Sequence, residues 1–91
     1  MHAHVAMFRF RLGENQTIGP SVLRKLWSEA CSSNDVKVSR IASGFGYGEP
    51  GYIYSLWASP HTHDLRAIEV AIECRLQKLL PGVTIKLTQL R

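Results

Sequence analysis

Apolar residues recur along the chain in two rhythms, and these divide it into six segments. From His2 to Leu12 the period is two, with Phe8, Phe10 and Leu12 on one parity and Val5, Met7, Arg9 and Arg11 on the other. That alternation predicts a strand with one face turned inward. After the polar stretch from Gly13 to Gly19, Pro20 suits the first position of a helix. Its ring presets a helical φ, and the N–H it lacks would go unbonded there in any case. Leu23, Leu26, Trp27 and Ala30 recur at i, i+3, i+4 and i+7 as one helical stripe. The turn-favouring residues Ser32 to Asp35 should end that helix near Ser33.

Val36 and Val38 alternate with Lys37 and Ser39 in a second strand that runs through Ile41, and a drift in parity before Gly44 suggests a bulge. Gly44, Gly46, Gly48 and Gly51 interleave with Phe45, Tyr47 and Pro50, a composition suited to a hairpin connection. Tyr52 to Ala58 reads as a third strand rich in aromatics, which Ser59 and Pro60 end. Asp64 to Leu80 then carries the clearest helical stripe: Leu65, Ile68, Ile72, Leu76 and Leu79. Arg75 and Lys78 sit toward its C-terminal end, where the helix dipole favours cations, and Pro81-Gly82 stops it. Val83, Ile85 and Leu87 alternate with Thr84, Lys86 and Thr88, which predicts a final strand.

The order strand, helix, strand, strand, helix, strand predicts an α+β fold. With short connections and right-handed crossovers it is a ferredoxin-like βαββαβ sandwich: a four-stranded antiparallel sheet in the order 4-1-3-2, both helices on one face. At 91 residues the chain has the length of one such domain, residues 1–91. The architecture leaves one sheet face uncovered, so function is expected there or at the loop ends.

Composition narrows the class of partner. With 45% apolar and 20% charged residues the chain matches ordinary globular proteins rather than disordered ones. Eleven basic against seven acidic residues leave a net charge of +4, which favours acidic partners. No apolar run reaches the roughly 20 residues of a membrane helix, and His2, His4, Arg9 and Arg11 interrupt any signal-peptide core. Two cysteines are too few for a disulfide scaffold, so a cytoplasmic, membrane-free setting is expected.

If Phe8, Phe10, Leu12, Val36 and Val38 face the helices, then Arg9, Arg11, Lys37 and Lys86 point outward from the sheet. The third strand is ambiguous, because either Tyr52, Tyr54 and Leu56 or Ile53, Ser55 and Trp57 join them. Both choices place aromatic surface beside cations. Bases stack on rings and phosphates pair with Arg and Lys, so this is the chemistry of a single-strand nucleic-acid platform. The glycine-rich arm, with Phe45 and Tyr47 at its tip, would clamp the bound strand. The candidate contact set is thus Arg9, Arg11, Lys37, Phe45, Tyr47, Tyr52, Tyr54 and Lys86. Gly51-Tyr-Ile-Tyr54 resembles part of the third-strand signature of RNA-recognition motifs. Pro50 stands where that signature has a basic residue, and the first strand lacks its aromatic-asparagine pattern.

The competing expectation is a protein that associates with itself or with another protein. An uncovered face bearing Met7, Tyr52, Tyr54 or Trp57 would then be an interface, in a homodimer or against a larger complex that a viral or mobile-element protein blocks. His4 to Arg11, reading His-Val-Ala-Met-Phe-Arg-Phe-Arg, resembles the opening strand of dimeric α/β barrels, in which two sheets enclose a small ligand.

The remaining reactive side chains do not form a catalytic set. His2 with His4 and His61 with His63 are two His-x-His pairs that neighbouring antiparallel strands would bring to one end of the sheet, the spacing of a possible metal cluster. The plainer reading is a terminus and an exposed helix start, where histidine is ordinary. Cys31 and Cys74 fall on helix sides near the sheet and read as buried thiols. Gly44-Phe-Gly-Tyr-Gly48 lacks the lysine and hydroxyl residue of a phosphate-binding loop. Glu69 and Glu73, flanked by Arg66 and Arg75, read as a solvated face with local ion pairs. The expectation is a non-enzymatic module without cofactor or metal.

Overall fold

A computed structural model describes residues 3–13, 15–43 and 50–91. Its elements are β1 (Val5–Gly13), α1 (Pro20–Cys31), β2 (Val36–Ser43), β3 (Gly51–Ala58), α2 (Leu65–Leu79) and β4 (Thr88–Gln89). The strands form one antiparallel sheet whose order is β2-β3-β1-β4, or β4-β1-β3-β2 counted from the other edge. The architecture is α+β, an open four-stranded sheet with two helices.

Alternation along the strands decides what is buried. Phe8, Phe10 and Leu12 of β1 pair with Leu56, Tyr54 and Tyr52 of β3. All but Tyr52, which packs against it half-buried, join Leu23 and Trp27 of α1 and Ile68, Ile72 and Leu76 of α2 in one core cluster. Phe8 meets Trp27 edge to face at 5.9 Å, and Phe10 stacks on Tyr54 at 5.0 Å. Such pairs each add about 1 kcal/mol to the burial of their area.

Several boundaries depart from the sequence expectation. The bulge expected in β2 lies instead in β1, where the register with β3 shifts between Ala6 and Phe8 while β2 pairs with β3 without interruption. The extra residue, Met7, is consequently buried, and Val5 pairs with Ala58 and packs on the core. A strict period-two reading put both on the outer face. The expected final strand also shrinks, because only Thr88 and Gln89 pair with β1, opposite Arg9 and Phe8. Ile85 and Leu87 are still buried, so their alternation reported burial correctly without reporting backbone pairing. At its start this segment is tied to α2, since Val83 N–H donates to the Leu80 carbonyl and the Gln77 side chain donates to the Val83 carbonyl. α1 ends at Cys31 through a left-handed Ser32, whose N–H closes on the Glu29 carbonyl.

Candidate functional site

The third strand settles the composition of the uncovered face. Tyr54 is 1% exposed and lies in the core, where its hydroxyl accepts the Ile18 backbone N–H at 3.1 Å. Tyr52 shares that side, half-buried, with the Arg40 guanidinium 4.5 Å above its ring. Neither tyrosine belongs to the open face, which corrects their place in the candidate set. The outward residues of β3 are Ile53, Ser55 and Trp57. Ser55 was the available signal, being the one polar side chain in a strand otherwise apolar or aromatic on both parities.

Register then builds the face row by row. Ile41, Ile53 and Arg11 stand side by side across β2, β3 and β1. The next row is Ser39, Ser55, Arg9 and Thr88, and the last is Lys37, Trp57 and Ala6. Trp57 donates its indole N–H to the Ser39 hydroxyl at 3.0 Å, and Lys37 Nζ lies 4.9 Å from its ring centroid. The ring therefore leans along the sheet toward Ser39, and Ser55 beside it is only 9% exposed. Arg9, Arg11 and Lys37 are exposed, and among the described residues no strand contains Asp or Glu. The described carboxylates lie on the helices or at their ends, in Glu29, Asp64, Glu69 and Glu73, and in the turn at Asp35. Lys86 is exposed but precedes the residues of β4 that pair. Phe45 and Tyr47 lie outside the described residues.

No protein-family model, curated protein or solved structure matches this chain. Any reading of function rests on the chemistry of its own surface.

The histidines meet only in part. His4 Nε2 sits 2.8 Å from Asp35 Oδ1 and ties the start of the chain to the turn before β2. Asp35 also lines an open cavity of about 240 Å³ with Cys31, Ser33, His61, Thr62 and His63, so the second pair lies near His4's partner. His2 lies outside the described residues. Among the described residues no group of three or more His, Cys, Asp or Glu is placed to hold a metal ion.

Burial pushes the Cys31 thiol up to about 11, so it is protonated at neutral pH and a poor nucleophile. Cys74 is exposed, contrary to the expectation of a buried thiol. Arg75 also differs from expectation, lying 3.9 Å from Glu29 on the neighbouring helix rather than pairing along its own. No helix among the described residues is long and apolar enough to cross a membrane.

Proposed function

We propose that this chain is a ferredoxin-like, non-enzymatic binding module that receives an anionic partner, single-stranded nucleic acid, on the uncovered face of its sheet. The element order and the central position of β1 and β3 support the fold. One observation carries the functional reading: Lys37 lies over the Trp57 ring, and Arg9 and Arg11 stand one and two rows further along the neighbouring strand, on a face to which no described strand residue contributes a carboxylate. A base stacked on Trp57 displaces the Lys37 ammonium from the ring and leaves it to the adjoining phosphate. Arg9 and Arg11, one strand away, follow the backbone. This scheme reads charge and stacking rather than base edges, so it tolerates different sequences.

The test is a titration of fluorescently labelled single-stranded and duplex oligonucleotides, followed by anisotropy, with the native protein and Trp57→Leu. Preference for the single strand and a loss of about tenfold in Trp57→Leu are expected, since stacking contributes about 1–3 kcal/mol per base. Equal affinity of the variant would remove Trp57 from the site.

A second reading, self-association, has its own support. Ile41 is 63% exposed at the edge strand β2 and stands beside the half-buried Ile53. Edge strands with exposed apolar residues readily pair with a second copy. A mass that stays monomeric at high protein concentration excludes this reading. A dimer that Ile41→Lys dissociates supports it.

A further inference from the structure

On the opposite side of the sheet from Trp57, a cavity of about 150 Å³ opens where α1 begins, lined by Ile18, Pro20, Leu23, Val38, Ser39, Arg40 and Tyr54. Most of that lining is apolar, and an apolar cavity of roughly 150 Å³ accommodates a benzene-sized group. Three polar residues interrupt it, and the hydroxyl of one, Ser39, is bonded to the Trp57 indole. Tyr54 is 1% exposed, and its hydroxyl accepts the N–H of Ile18, another lining residue. A hydroxyl also donates, and among the described residues this one has no acceptor for its proton. Arg40 is exposed, its guanidinium held over the Tyr52 ring at 4.5 Å, and among the described residues no carboxylate pairs with it.

Among the described residues, the Tyr54 hydroxyl and the Arg40 guanidinium each lack a complement. A buried hydroxyl proton wants an acceptor, and a guanidinium offers a fork of donors shaped for a carboxylate. The contact with the Tyr52 ring already places the guanidinium, so less side-chain freedom is lost when an anion binds. We infer that this cavity is a binding site for an aromatic carboxylate. The ring lies among Ile18, Leu23 and Val38, and the carboxylate takes the Arg40 guanidinium and the Tyr54 proton. The site is separate from the open face and stands or falls independently of nucleic-acid binding.

The ligand chemistry has two sources, a free aromatic acid or the C-terminus of a peptide ending in Phe, and the test treats both. Two-dimensional amide NMR of the whole protein is recorded during titration with phenylacetate, with phenylacetamide, and with a short Phe-terminated peptide in its acid and amide forms. The acids are expected to shift the Ile18, Leu23, Val38 and Arg40 amides, with each amide form at least tenfold weaker. Saturation by phenylacetate identifies a small-molecule site, and saturation by the peptide acid alone identifies a peptide terminus. Arg40→Gln alters an exposed residue and should fold normally while losing at least tenfold in affinity. Absence of shifts at these residues, equal binding of acid and amide, or full affinity in Arg40→Gln overturns the inference.

Discussion

Trp27 donates its indole N–H to the backbone carbonyl of Trp57 at 2.7 Å. The acceptor residue sits beside the β1 bulge, at the last pairing before the register shifts. Its own side chain lies on the other side of the sheet, bonded to Ser39. Trp57 is thus held from the core by a helix and on the open face by a neighbouring strand. The core therefore fixes the position of the one described aromatic among the cations of that face.

Replacing Trp27 by Phe keeps a ring against Phe8 but removes the donor, leaving a partly buried carbonyl without its partner. An unsatisfied group of this kind costs about 2 kcal/mol. Urea denaturation of Trp27→Phe should show that loss, and unchanged stability would mean that water replaces the indole.

Gly51 opens β3 opposite Gly13, and a Cβ there would press into the Leu12 carbonyl oxygen, a backbone atom that cannot swing aside. Gly51→Ala should destabilise the protein by about 1–3 kcal/mol, the usual cost of overpacking. Thermal unfolding measures it, with Gly13→Ala, where nothing lies within contact of an added Cβ, as the comparison.

The two thiols should separate by reactivity and by pH. At neutral pH an alkylating reagent should modify exposed Cys74 well before Cys31, as peptide mapping would show. Burial raises the Cys31 thiol from 9.0 to about 11, so in this range the folded state holds a proton that the unfolded state gives up. Its contribution to stability is therefore complete below pH 9.0 and is lost as pH rises toward about 11. In Cys31→Ala, denaturation midpoints should fall less steeply across that window than in the native protein.

The sequence revealed most of the fold because its apolar spacing tracks burial directly. Leu23 with Trp27 and Ile68 with Ile72 and Leu76 are buried where the helical stripes place them. Spacing was a poorer guide where tertiary partners decide. Met7 is buried because a bulge adds one residue to β1, and Val83 lies outside the ladder with its carbonyl bonded to the Gln77 side chain. The outward placement of Arg9, Arg11 and Lys37 was readable from parity alone. The placement of Tyr52 and Tyr54 was not, since both parities of β3 are apolar or aromatic and only Ser55 distinguishes them. Arg40 went unnoticed because its place over the ring of Tyr52 depends on register.

The most direct test of the proposed face is its salt dependence. Affinity for a labelled single-stranded oligonucleotide is measured from low to near-physiological salt for the native protein and for the combined variant Arg9→Ala, Arg11→Ala, Lys37→Ala. Each phosphate contact on a single strand contributes about 0.7 to the slope of log affinity against log salt, so losing three should flatten it by about 2. A folded variant with weaker binding and that shallower slope is the predicted result. Equal slopes, or no binding by the native protein even at low salt, would contradict the assignment of the uncovered face to nucleic acid.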